Sequence, residues 1–519
     1  MNAGFGIRAA PGACVATLAL LLLACGGGGG GTTSGATGGN PPGLGFADAT
    51  VYSSAADAAL PSATEGAAVT RHTLELGGRT IAYTATAGHL SAGASGSGTA
   101  QASMFYVAYT ADAAAPATRP LIFFYNGGPG SATVWLHLGS FGPRRIVIGA
   151  PATTVPQPVQ LVDNAESLID TADLVFVDAV GSGYSQAIAP ATNQSFWSVD
   201  ADAGVMRDFI RRYIEVNQRA ASPTFLFGES YGTTRSAVLA NLMVSAGMRL
   251  DGVILQSSVL DYNSNCGLFD PGQLSCAGYL PSYGLTGAWF QLLQPQPTDS
   301  DAYAQQMRDF SDQRYTPALA AFLGAQTPPA ASLLDELVGR TGAPRAVWSA
   351  SFNLDPTSYR GQTLAAQLMG RYDARVAVPV TSPLAAGGDP SASVINAPFV
   401  TAQRAHLANE LLYSAGSGYT MLSNAIASWN FGHDGRTLPD TIPDLATALA
   451  QQPALRVLSL AGYHDLATPF RQTELDLARL GAAPTLRQRV YPGGHMIYLD
   501  DASRPRMKAD LVAFINASP

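Results

Sequence analysis

The stretch FLFGESYGTTRSAVL, residues 225–239, constrains the fold more than any other part of the chain. Phe225, Leu226 and Phe227 form a short apolar run suited to a strand covered on both faces. Ala237, Val238, Leu239, Leu242 and Met243 recur at helical spacing. Only a few residues separate the two patterns, so the chain passes from a buried strand into a helix through one sharp turn, with Ser230 at its apex. A serine held there has strained backbone angles, and a Cβ at Gly228 or Gly232 would crowd the neighbouring strand or helix. Chance alone gives roughly 0.4 matches to GxSxG in a chain this rich in glycine, so the motif counts through its strand-to-helix context.

Strand-helix alternation around such a turn predicts an α/β fold: an α/β-hydrolase with a mostly parallel central sheet, helices on both faces and a helical cap insertion. Ser230 is then the nucleophile. In PLIFFYNGGPGSATVW, strand 121–125 ends in Asn126, Gly127, Gly128, Pro129 and Gly130. Backbone N–H groups approach a substrate oxygen only where side chains are absent, so the expected oxyanion hole pairs the N–H of Gly128 with that of Tyr231. The base and its orienting acid should follow in the order Asp, His. The stretch 455–470 reads as an apolar strand ending in a loop that carries Asp465, and 486–499 as another strand ending in a loop that carries His495. Two parallel strands would bring both to the sheet edge that holds Ser230, with His495 as base and Asp465 fixing its tautomer. His464, a neighbour of Asp465 expected to face away, is the alternative base.

NGGPGS at 126–131, DLVFVDAVGSGYSQ at 173–186, GESYG at 228–232, the 462–469 loop and PGGHM at 492–496 resemble, in order, the motifs of the serine carboxypeptidases, peptidase family S10. The resemblance runs from about residue 67 to the end apart from a divergent middle, and VWLHLGSFGPRR is similar to the bacterial branch. It implies the triad Ser230, Asp465, His495 with Gly128 and Tyr231 as oxyanion donors. It also implies recognition of a peptide's terminal carboxylate by Asn126, Gly127 and Glu229, and no cofactor. One position departs: where the family carries a second glutamate, counted in register to Gly142-Pro143, this chain has Ser140. A single carboxyl lacks the mutual repulsion that raises the pKa of a pair, so the activity optimum is expected to be less acidic than is usual for the family. Arg144 and Arg145 follow; they read as a solvated pair on a loop, with a carboxylate-binding cation as the alternative.

Arg8 precedes an apolar run from Ala13 to Leu23, too short to span a bilayer and of signal-peptide length. Leu22, Leu23, Ala24 and Cys25 resemble a bacterial lipoprotein cleavage box. This implies cutting before Cys25, acylation of its thiol and a membrane anchor, with Gly26 favouring an outer-membrane, periplasm-facing address. A soluble periplasmic or secreted protein is the alternative. The Gly-rich residues 25–45 read as a tether reaching roughly 25 Å. Charged residues are 13% and the net charge is −8 with no basic run, which argues against nucleic acid as a partner. Of four cysteines, Cys266 and Cys276 remain. In an exported protein they are a candidate disulfide worth roughly 3 kcal/mol, two free thiols being the alternative. The seven histidines form no HExxH pattern, and no metal site is expected.

The segments then read as signal peptide 1–24, tether 25–45, core 46–261, cap 262–428 and core 429–519. The expected activity is release of carboxyl-terminal amino acids from peptides through an acyl-enzyme. Esterase or acyltransferase chemistry on the same scaffold is the alternative within enzymes, and a non-catalytic peptide-binding lipoprotein the alternative outside them.

Overall fold

The computed structural model describes residues 43–93, 99–112, 115–269 and 274–517; the signal peptide, Cys25 and nearly all of the tether lie outside the described residues. Nine strands labelled here carry the central sheet: β1 (Ala67–Leu76), β2 (Arg79–Ala92), β3 (Ala102–Ala111), β4 (Leu121–Tyr125), β5 (Asp173–Val177), β6 (Thr224–Glu229), β7 (Gly252–Gln256), β8 (Arg456–Gly462) and β9 (Leu486–Tyr491). Their order is β9-β8-β7-β6-β4-β5-β3-β2-β1, and a two-residue strand at Gln186–Ala187 pairs with β3. The six strands from β4 to β9 are mutually parallel. β3 joins β5 antiparallel, and β2 and β1 continue that antiparallel end. This is the α/β-hydrolase fold.

The parallel strands are apolar on both faces, and their residues alternate between two cores. Ile122 and Phe124 of β4 enter one, with Phe225 and Phe227 of β6. Leu121, Phe123, Tyr125 and Leu226 enter the other. The first core is closed by helices α1 (Val134–Gly139) and α6 (Arg504–Asn516), and the second by α2 (Val199–Val216), α3 (Tyr231–Ser245) and α4 (Ile442–Gln451). Helix α5 (Phe470–Ala478) connects β8 to β9. The sequence pattern of α2 is what places it: Val205, Met206, Phe209, Ile210 and Tyr213 are buried along one side.

Between β7 and α4 lies the long insertion expected from the sequence. It is mainly helical, with a core of its own built on Tyr279, Tyr283, Tyr315, Trp348 and Tyr359. It also holds short strands that its sequence does not announce. Residues 367–369 pair with 377–379, and 413–415 pair with 46–48 from the start of the described chain. Cys266 and Cys276 are bonded to each other, with Cα atoms 5.4 Å apart.

Strand order decides where a site can form. The connection after β4 leads to β5 on one side, and α3 after β6 leads to β7 on the other. The carboxyl ends of β4 and β6 therefore flank a crevice at the topological switch point, the place where open α/β sheets bind ligands.

Candidate active site

The loop after β4 and the turn after β6 meet in this crevice. Ser230 sits between β6 and α3 with φ 60° and ψ −129°, the left-handed backbone that the GxSxG turn predicts. Both flanking glycines are sterically required: a Cβ on Gly228 would lie 2.2 Å from the Gly232 carbonyl oxygen, and one on Gly232 2.9 Å from that of Tyr125. Gly127 is equally restricted, since its Cβ would stand 2.5 Å from the backbone nitrogen of Tyr231. The β4 loop thus packs bare backbone against the first residue of α3, whose N–H has no carbonyl one turn back to bond. Gly128 takes φ +103° beside it.

The acid and the base come from neighbouring strands. Asp465, fully buried, accepts from the backbone N–H groups of Ala467 (2.7 Å) and Thr468 (3.0 Å) through Oδ1. Its Oδ2 accepts from the Thr468 hydroxyl (2.8 Å) and lies 2.8 Å from Nδ1 of His495. With Nδ1–H committed to the carboxylate, Nε2 is left as the basic nitrogen. Burial alone would lower the imidazole's pKa, but the charge and hydrogen bond of Asp465 outweigh it and the net shift is upward. His495 is held at its backbone too: its N–H donates to the Tyr372 carbonyl (2.6 Å), and its own carbonyl accepts from Ser257 Oγ (2.6 Å). The Tyr372 ring lies over the imidazole with centroids 4.9 Å apart.

Ser230 and His495 line one cavity of about 290 Å³ together with Asn126, Gly127, Gly128 and Glu229. Asn126 Oδ1 accepts from the Leu136 N–H (3.0 Å), which turns Nδ2 toward Glu229 Oε1 (2.9 Å). Gln256 donates to Oε2 at 3.0 Å. Glu229 is 2% exposed. Burial pushes its carboxyl up to about 7, with His495 and hydrogen-bond donors pulling the other way. This corrects the argument made from Ser140: without a second glutamate the carboxyl is still raised, chiefly by desolvation and to a lesser extent by the charge of Asp465. Ser140 itself is buried at the end of α1, its hydroxyl bonded to the Leu136 carbonyl (2.5 Å), and is not among the cavity's lining residues.

The arginine pair also differs from expectation. Arg144 and Arg145 stand on a short strand, 144–146, rather than on a solvated loop. Arg144 is paired with Glu410 (3.0 Å) and Asp163, and Arg145 with Asp501 (3.2 Å), so neither lines the cavity. His464 is buried away from it against Trp289, and burial, aided by Arg375, holds its pKa well below the ordinary value. Gln256, Ser257, Thr468 and Tyr372 were not singled out from sequence. Gln256 ends β7, Ser257 follows it and Thr468 lies in the Asp465 loop, so proximity to a strand's carboxyl end was a usable signal. Tyr372 lies in the divergent insertion and had none.

Residues 78–266 match the sequence pattern of the serine carboxypeptidase family. A serine carboxypeptidase-like protein of Arabidopsis thaliana is 29% identical over 146 residues, which is 27% of this chain and 28% of that protein. Among solved structures, a proline iminopeptidase from Mycobacterium smegmatis aligns at 15% identity and a TM-score of 0.36, covering 82% of this chain and 97% of that one. A peroxisomal alpha-beta-hydrolase from Saccharomyces cerevisiae aligns at 12% identity and a TM-score of 0.34, over 85% and 91%.

Proposed function

We propose that this chain, whose residues 78–266 match the serine carboxypeptidase pattern, is a serine hydrolase that removes single amino acids from the free carboxyl ends of peptides. The observation that carries the reading is Glu229. A carboxyl that keeps its proton up to about pH 7, set beside Asn126 and the bare backbone of Gly127 in the cavity that holds Ser230, is a donor for a substrate carboxylate.

In this reading Ser230 Oγ attacks the last peptide carbonyl while His495 Nε2 takes its proton. The N–H groups of Gly128 and Tyr231 stabilise the oxyanion, and the imidazolium, steadied by Asp465, passes the proton to the departing amino group. The acyl-enzyme on Ser230 is then hydrolysed by water, with His495 again as base. His495 must be unprotonated, so activity rises through its elevated pKa; Glu229 must be protonated, so carboxylate binding weakens above about pH 7. The two requirements pull in opposite directions and give a bell-shaped profile whose alkaline side is set by Glu229.

A mass-spectrometric time course on paired peptides with free and amidated carboxyl ends, with Ser230→Ala as control, tests the proposal. Stepwise loss of single residues from the free end only is the expected result. Ester or acyl-transfer chemistry is the second reading, and the observation that favours it is Ser140, which leaves the cavity without the family's second carboxyl. Reaction of Ser230 with a fluorophosphonate but no cleavage of either peptide would move the assignment there.

For its place in the cell, we propose a lipid anchor on Cys25 that holds the enzyme at the bacterial envelope facing the periplasm. Cys25→Ser should move the protein from the membrane fraction to the soluble fraction; an unchanged distribution would discard the anchor.

A further inference from the structure

Much of the remaining wall of the cavity comes from the insertion, and it is uncharged: Ile395, Leu422 and Ile426 stand there beside the polar Asn396, Ser423 and Asn424. A strap from Tyr419 to Ile426 runs along the oxyanion loop and is hydrogen-bonded to it: Ala132 N–H donates to the Met421 carbonyl (2.9 Å) and Ser423 N–H to that of Gly130 (2.9 Å). Thr420 and Gly183 exchange a second pair of bonds (2.8 and 3.2 Å), and the Tyr419 hydroxyl donates to the buried Asp178 (3.0 Å). The strap's backbone is therefore tied to the same loop that supplies Gly128. Ser423 and Ala425 are buried by this, but the two large aliphatic side chains at 422 and 426 are not. Leu422 is 57% exposed and Ile426 48%, and both line the cavity. Large apolar side chains on a pinned backbone, left facing a cavity, are covered only when something apolar enters it.

Trp135, Ile395 and Met496 complete the apolar wall. Ile395, Met496 and Tyr372 also line a smaller apolar cavity behind it, so the wall has space on its far side. Among the described residues, Glu229 and His495 are the ionisable groups that line the main cavity apart from Tyr372, and both are already engaged, with Asn126 and Gln256 and with Asp465. An incoming ammonium, guanidinium or second carboxylate would find no counter-charge there and would be desolvated without compensation.

We infer that Leu422 and Ile426 are specificity-determining residues that select peptides ending in an uncharged apolar amino acid. The inference rests on the carboxypeptidase reading, because that reading fixes which side chain meets the strap. The terminal residue's carboxylate and its side chain leave the same α-carbon. Once the carboxylate is held at Asn126, Gly127 and Glu229, the side chain has to lie in the same cavity. At about 290 Å³ that cavity is at the lower end of ligand pockets, room for one residue beyond the scissile bond.

The test is a set of peptides identical except for a terminal Leu, Met, Asp or Lys, with kcat/KM measured for the wild type, Leu422→Asp, Ile426→Asp and the conservative Leu422→Met; circular dichroism and thermal melting check that each variant is folded. The wild type should prefer Leu and Met over Asp and Lys by about 100-fold or more, on the scale of a charge denied its partner. Either Asp variant should lower the rate on the Leu peptide about tenfold or more and raise it on the Lys peptide, whereas Leu422→Met keeps the wild-type order. Equal cleavage of all four peptides by the wild type, or an unchanged order in both folded Asp variants, overturns the inference and leaves the carboxypeptidase reading standing. Cleavage of none of them by a wild type that still reacts with fluorophosphonate overturns both.

Discussion

The carboxyl edge of the parallel sheet and the insertion after β7 meet across one cavity but hold their side chains by different means. At the sheet edge, Ser230, Asp465 and His495 each stand within a few residues of a strand end, so sheet register sets where they begin. Glycines with no room for a Cβ let the connecting loops close on one another. The insertion has no such lattice at the cavity. It folds around its own aromatic core and reaches the site through the helix bearing Ile395, through Tyr372 and through the 419–426 strap, the last two held by backbone hydrogen bonds to the loops around His495 and Gly130. The contrast teaches that the candidate catalytic groups are tied to sheet register, while the facing wall is tied to a few backbone hydrogen bonds between distant segments.

If that division holds, the largest losses belong to the sheet edge. Ser230→Ala should lower kcat by about 10⁶-fold and Asp465→Asn by about 10⁴-fold on any substrate the enzyme accepts, measured in single-turnover assays. A residual rate in Ser230→Ala comparable to the wild type would break the comparison at its root. Next is Gly127→Ala, whose Cβ would push against the Tyr231 nitrogen. A fall of about 10²–10³ in kcat with folding intact is expected, the cost of losing an oxyanion donor.

Tyr372→Ala sharpens the contrast from the other side. It removes the ring over His495 but keeps the carbonyl that accepts its N–H. A drop of about tenfold in kcat with a shifted acid limb of the pH–rate profile is expected, restored by Tyr372→Phe. An unchanged kcat would mean that the insertion supplies walls only.

Glu229→Gln is expected to act through pH. The wild-type KM for a free-carboxyl peptide should rise above about pH 7 by up to tenfold per unit as Glu229 loses its proton. The neutral Gln cannot ionise, so its KM should stay flat from pH 5 to 9. A wild-type KM independent of pH would remove Glu229 from carboxylate binding.

The smallest effect is on stability. His433, just beyond the strap, lies between Asp444 (2.8 Å) and Asp200 (2.7 Å), and these hydrogen bonds, led by Asp444, raise its pKa to about 9 against the effect of burial. Because the folded pKa is the higher one, the stabilisation is complete below about pH 6.5 and is lost as pH rises through about 9. His433→Asn should therefore lower the melting temperature by a few degrees at pH 6 and by less at pH 10. An equal shift at both would assign His433 a packing role only.

Much of the sheet edge was legible because its requirements are local. A buried strand must be apolar, a strand-to-helix turn through Ser230 must be flanked by glycine, and Gly127 and Gly128 must be bare where two backbones meet. Each requirement restricts residue type within a few positions, so each shows in the chain. Glu229 was legible as a position but not as a chemistry: its raised pKa comes from desolvation, a property of everything packed around it. Arg144 looked like a solvated charge because Glu410, its ion-pair partner, is 266 positions away.

The amino-acid sequence by itself determined the α/β-hydrolase class, the strand ends that carry Ser230, Asp465 and His495, and the bare loop at Asn126–Gly128, since short-range sterics and periodicity suffice for these. Only the tertiary structure decided that Tyr372 covers the imidazole, that Ser140 turns from the cavity, and that Leu422 and Ile426 face it. The Tyr372, Leu422 and Ile426 placements depend on contacts between segments far apart in the chain, which leave no periodic or compositional trace in either partner, whereas Ser140 is turned by a carbonyl one helical turn back.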